Sequence, residues 1–227
     1  MKKVLFGMLI LLTLTGCSFY REKNNEKETI DYASFVKSGA TYLKTEESTI
    51  TLDGESHDLA YIYSLGNFEH DLCYGYMTVL FDGKILSPEL TNFPISDIYT
   101  DSEEMCKEIR YDITEKVLDG DKDALVLVIS GGVFSHDITE DVLMSIVDSE
   151  GNVLKFDHVG GYNVFYESND SYLTYDENLK TKYVKINNNV ITVYTCRNIK
   201  KYTIDGYEIE QTISSYPTNV YFSGACY

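Results

Sequence analysis

The chain has 227 residues, with 36 Asp and Glu against 19 Lys and Arg and a formal net charge of −17. A surface this acidic repels phosphate backbones and anionic lipid headgroups, which excludes nucleic acid as a partner. The 20 tyrosines, 10 phenylalanines and three prolines, with no tryptophan, suit a sheet protein, because tyrosine packs its ring on half-buried strands while its hydroxyl stays wet.

Met1-Lys2-Lys3 is a short basic start, and the apolar run from Val4 to Leu14 follows it. A basic n-region, a short apolar core and small residues before a cut site define a secretory signal. The run is roughly 11 residues, whereas a bilayer-spanning helix takes about 20. Leu14-Thr15-Gly16-Cys17 resembles the lipobox of bacterial prolipoproteins. That resemblance implies that residues 1–16 are a signal peptide. It also implies that Cys17 carries a diacylglycerol thioether and that the mature chain is anchored on the extracytoplasmic face of the cell membrane. Two acyl chains suffice for stable attachment. Cleavage removes Lys2 and Lys3 and no acid, which leaves 17 basic against 36 acidic residues, a net charge of −19. Such a domain attracts cations or basic partners. Residues 17–30 then read as the lipidated N-terminus and a flexible tether, since Ser18 to Thr29 (SFYREKNNEKET) is too polar to bury itself.

From residue 31 on, period-two alternation and turn residues predict an all-β domain. His57–Ser64 and Tyr74–Phe81 have strand length, and Asp82-Gly83 turns the chain into Lys84-Ile85-Leu86. Ile109, Tyr111, Ile113 and Val117 mark another strand. Ala124–Ile129 is a continuous aliphatic run, expected of a strand buried on both faces. Val142–Val147 and Val153–Phe156 flank the hairpin signature Ser149-Glu150-Gly151-Asn152. Tyr183–Ile186 and Val190–Cys196 flank three asparagines, and Lys201–Ile204 and Tyr207–Thr212 flank Asp205-Gly206. Asp-Gly and Asn-rich turns suit tight hairpins because they tolerate positive φ.

The pattern repeats. Laid 66 residues apart without a gap, the stretch Ile50–Asp82 and its counterpart share ten of 33 positions, including Leu52-Asp53-Gly54 with Leu118-Asp119-Gly120 and Phe68-x-His70-Asp71 with Phe134-x-His136-Asp137. A third, shorter copy starts near Val184. The reading is therefore repeated antiparallel β-meanders over about 50–115, 116–183 and 184–227. One such unit cannot bury its own apolar face, so the units stack as a propeller-like fragment or an elongated β-sandwich.

Two of the four histidines, His70 and His136, occupy matching positions, each followed by an acid, Asp71 and Asp137. A histidine beside a carboxylate is oriented and titrates near neutrality, so the two pairs form a candidate ligand or partner site. The alternative assigns each pair to a structural corner, with histidine on a backbone carbonyl and aspartate capping a turn. Asp119, Asp121 and Asp123 form a candidate metal set. Leu118-Asp119-Gly120-Asp121-Lys122-Asp123 resembles the Asp-rich calcium loop of integrin-type FG-GAP repeats but is one residue short of it, and the counterpart at Asp53 keeps only part of the acid set. Cys73, Cys106, Cys196 and Cys226 permit two disulfides in an exported chain, with Cys73–Cys106 and Cys196–Cys226 favoured because each pair lies within one unit. They show neither the CxxC spacing nor the Cys/His clustering of a zinc site.

No nucleophile elbow, H-E-x-x-H motif or Walker loop is present. The leading expectation is thus a membrane-anchored, non-catalytic binding domain of the cell envelope whose partner is an envelope protein or glycan. The alternatives are a calcium or zinc module and an envelope hydrolase.

Overall fold

The chain divides into two units, Met1–Ile30 and Asp31–Tyr227. The computed structural model describes residues 30–66, 72–86, 93–99, 110–132, 140–159, 177–179, 181, 183–195 and 198–216. Among its described residues the second unit is all-β apart from one short 3-10 turn, Tyr32–Phe35. The first sheet contains β1 (Thr41–Leu52), β2 (Glu55–Leu65), β3 (Leu72–Phe81), β4 (Lys84–Ile85) and β5 (Phe93–Tyr99). It is a meander from β1 to β4, and β4 and β5 take successive lengths of the same edge of β3. The middle sheet runs β6 (Arg110–Leu118), β7 (Ala124–Gly132), β8 (Glu140–Val147) and β9 (Val153–Val159). The third runs β10 (Val184–Asn187), β11 (Val190–Tyr194), β12 (Ile199–Asp205) and β13 (Glu208–Ser214). Every strand pair is antiparallel, as short connections between neighbours require.

The turns follow from local chemistry. Asp53-Gly54 and Asp82-Gly83 close two-residue hairpins with φ of 50° and 81°, and 49° and 74°. Two consecutive positive φ values match the right-handed twist of the flanking strands, and Asp followed by Gly tolerates them. At the last hairpin Asp205 pairs with Glu208, so Gly206 and Tyr207 are the central residues. Gly206 alone takes positive φ, 57°, as a glycine-first turn demands.

The middle sheet is buried on both faces. Leu125, Leu127 and Ile129 of β7 point into one core with Leu59, Tyr61, Tyr63, Met77 and Phe81. Ala124, Val126 and Val128 point into another with Val184, Ile191, Val193, Tyr202 and Ile204. Fully burying a side chain of this size stabilises by about 1.5–3 kcal/mol, so β7 ties two cores together and explains its unbroken aliphatic run.

Register decides how the sheets stack. Leu59 pairs with Phe81, and Leu125 pairs with Val147, a step of 66 residues at both ends. The matched rows Leu59/Tyr61/Tyr63 and Leu125/Leu127/Ile129 face one another across a single core. Successive propeller blades would present a matched row in the same direction each time. Opposed rows belong to face-to-face packing, so the architecture is sandwich-like, three open sheets deep, and none of the sheets closes into a barrel. The far side of the third sheet is wet: along β12, Tyr202 and Ile204 are buried while Lys201, Thr203 and Asp205 are exposed.

Candidate functional site

The polar side chains gather at two places, the turn end of the stack and the seams between sheets. Asp53 is the centre of the first. The backbone N–H of Asp123 donates to its Oδ1 at 2.7 Å, and the backbone N–H of Asp53 donates in return to Asp123 Oδ2 at 2.8 Å. Ser149 Oγ and Tyr207 OH both donate to Asp53 Oδ2 at 2.9 Å, with their own oxygens 2.5 Å apart. The backbone N–H of Ser149 donates to Tyr207 OH at 3.1 Å. One exposed carboxylate therefore joins the β1–β2, β6–β7, β8–β9 and β12–β13 turns, which belong to all three sheets. The Asp123 N–H bond, then the two hydroxyl bonds, hold the Asp53 carboxyl below its ordinary range, and the charge of Lys122 adds to this. Lys122 Nζ also lies 4.6 Å from the centroid of the Tyr207 ring.

Two further carboxylates brace turns, Asp148 within its own hairpin and Asp82 against the neighbouring strand β2. Asp148 Oδ1 accepts from the N–H groups of Glu150 and Asn152 at 2.9 and 2.8 Å. Asp82 accepts from the N–H of Asp58 and from His57 Nδ1, both at 2.9 Å. The His57 ring packs on Phe81, and among the described residues its buried Nε2 has no hydrogen-bond partner.

The seams are polar as well. Between the first and middle sheets, Glu115 accepts from Tyr61 OH at 2.6 Å and from Ser48 Oγ, while within the first sheet Glu46 of β1 accepts from Tyr63 OH of β2 at 3.0 Å. Between the middle and third sheets, the buried Asp157 accepts from Lys200 Nζ at 2.5 Å and from Tyr202 OH. Burial first, and then the neighbouring carboxylate, push Tyr61, Tyr63 and Tyr202 above the ordinary tyrosine range. The Glu115 and Asp157 bonds fasten sheets together, and Glu46 ties β1 to β2. Each carboxylate already has donors, which is the arrangement of a brace rather than of a general base awaiting a substrate.

Of the metal set, Asp119 and Asp121 lie exposed on the β6–β7 turn. Asp123 directs its carboxylate to the N–H groups of Asp53 and Gly120, at 2.8 and 3.4 Å. Among the described residues no group of three or more His, Cys, Asp or Glu side chains is arranged to hold a metal ion. The pairs His70-Asp71 and His136-Asp137 lie outside the described residues, as do Cys17, Cys106, Cys196 and Cys226. Cys73 is in β3 opposite Ile98, but its side chain is outside the described set, so neither disulfide pairing is placed. Sequence reasoning missed Tyr207 and Ser149. Their signal was their position inside tight hairpins, which reveals nothing of partners some 58 to 154 residues away.

The described elements do fix one direction. The β1–β2 and β6–β7 turns touch through Asp53 and Asp123, so β2 and β7 both start at that end, and their inward rows share one core. Both strands therefore run away from the turn cluster toward residues 65 and 132.

Comparison with known proteins bears on the N-terminus alone. Residues 1–18 match the model of the prokaryotic membrane lipoprotein lipid attachment site, and Cys17 is the one cysteine within them. No curated protein and no solved structure matches the chain. Among the described residues no helix is long and apolar enough to cross a membrane.

Proposed function

We propose that this chain, a lipid-anchored membrane lipoprotein, is a non-catalytic binding domain held through Cys17 on the extracytoplasmic face of the membrane. Its partner is an envelope protein with a basic surface. The observation that carries the reading is the Asp53 cluster: four turns from three sheets are locked at one end by groups already bonded to each other. A scaffold fixed at one end suits presentation of a surface at the other. The mature charge of −19 supports a basic partner, because complementary charge speeds and orients association.

We further propose that the His70-Asp71 and His136-Asp137 pairs form the contact. Both pairs follow strands, β2 and β7, that leave the turn cluster side by side, which supports a shared rim. Two imidazoles and two carboxylates together offer donors and acceptors to a cationic or polyhydroxyl surface.

The test is retention of the mature chain without its lipid on envelope fractions at physiological salt. The reading expects saturable retention that falls at least about tenfold for His70→Ala with His136→Ala, the loss of roughly 1.4 kcal/mol. Retention that ignores the double variant removes the proposed contact and leaves the binding role. No retention at all removes the binding role.

A further inference from the structure

The outer face of the first sheet carries Ala60, Ile62, Thr78 and Leu80, all nearly inaccessible. Register matches these, 66 residues on, to Val126, Val128, Met144 and Ile146 of the middle sheet, a face packed against the third sheet. On the first sheet the cover among the described residues is a single short segment, with Tyr32, Phe35 and Val36 packed over Ala60, Ile62 and Leu80. The segment is also the first described stretch after the lipid-bearing N-terminus.

Its hold is slight compared with a sheet. The turn Tyr32–Phe35 is four residues long, none of them is buried, and Asp31 makes no side-chain cap bond. The backbone bonds Ser34 to Asp31, Val36 to Ala33 and Ala40 to Lys37 stay inside the segment. Side chains make the crossings: Tyr32 OH donates to Glu47, Lys37 Nζ to Tyr76 OH at 3.3 Å, and Thr78 Oγ1 to the Phe35 carbonyl at 3.4 Å. The next element, β1, is paired with β2 from Thr41 to Leu52. A load entering at residue 31 thus meets a patch that peels contact by contact before it meets a full ladder. Segments with few buried contacts open at a small fraction of the global unfolding free energy.

We propose that Asp31–Ala40 is a releasable strap that lengthens the membrane tether when the domain is pulled from its anchor. Ten residues add up to about 35 Å of contour at roughly 3.3–3.6 Å each. Release bares Ala60, Ile62 and Leu80 to water, so the strap re-seats when the load falls. This rests on the lipid anchorage and on no particular partner.

The test is single-molecule pulling of the full mature chain by handles fused before Ser18 and after Tyr227. The strap predicts a reversible low-force extension of no more than about 35 Å, ahead of the main unfolding event. Phe35→Ala with Val36→Ala lowers the force of the early step and leaves the main one in place. Tyr32→Phe, which deletes only the bond to Glu47, does the same to a smaller degree and keeps the test open if the double variant fails to fold. A single rupture with no early step overturns the proposal, as does a double variant that weakens both events alike.

Discussion

Asp53 and Asp123 bond each other reciprocally, each backbone N–H donating to the other's carboxylate, at 2.8 and 2.7 Å across 70 residues of chain. The first and middle sheets are thereby joined turn to turn, and Ser149 and Tyr207 extend the joint to the third.

Acid should loosen this joint. The folded pKa of Asp53 is lowered, first by the Asp123 N–H bond. A depressed carboxyl stabilises the fold above its ordinary range, about pH 4, and that stability is lost as pH falls through the folded value. Asp53→Asn should lower the thermal midpoint at neutral pH and flatten its fall below about pH 4. Melting curves across that range check this. An acid limb parallel to that of the wild type would contradict it.

Gly151 and Phe81 give a second test, between the β8–β9 turn and β3. Gly151 has φ of 81°, and a Cβ there would lie 2.9 Å from Phe81 Cδ1. Gly151→Ala should cost about 2 kcal/mol or more, from left-handed backbone strain together with crowding. In a Phe81→Leu background the cost should fall, because the crowding goes while the strain stays. A double-mutant cycle measures the difference, and strict additivity would deny the contact.

Lys200 and Asp157 test the seam between the middle and third sheets. Asp157 is buried, so removing its cationic partner leaves a carboxylate held by Tyr202 alone. Lys200→Ala should destabilise by about 1–3 kcal/mol, below the full cost of breaking a buried pair because Lys200 is partly exposed. Asp157→Asn in the Lys200→Ala background should recover part of the loss. Denaturant unfolding reports both, and no recovery would mean that the charge was not the cause.

Tyrosine titration separates the seams from the surface. The bond to Glu47 pushes Tyr32 up to about 12, and Tyr61, Tyr63 and Tyr202 are held higher still by burial and carboxylates. A raised tyrosine stabilises the fold below its ordinary pKa of about 10, and that contribution is lost as pH rises toward the folded value. Absorbance should show Tyr61, Tyr63 and Tyr202 ionising only with unfolding. A single wave near 10 for all the tyrosines would contradict the seams.

Much of the fold was legible because its strands carry strong patterns. Ala124–Ile129 was readable as buried on both faces from its unbroken aliphatic character, and two cores meet on it. The Asp82-Gly83 hairpin was equally plain. Two strands were not. β1 is an edge strand, mostly exposed or half-buried, and its sequence Thr41–Leu52 carries little apolar alternation. β5 contains Pro94, which argues against a strand except at an edge, where β5 lies. The propeller-or-sandwich choice needed register, since composition is blind to which face a row presents. Little of the turn-end cluster could be read, because Asp53, Asp123, Ser149 and Tyr207 meet only after three sheets have stacked.

Attachment by lipid at Cys17 underlies every role proposed for this chain. Detergent-phase partitioning with intact-mass measurement tests it, comparing the native chain with Cys17→Ala in the producing cell. The native chain should start at residue 17, carry acyl mass and enter the detergent phase, and the variant should lack the acyl mass. Equal partitioning and equal mass for the two would contradict it.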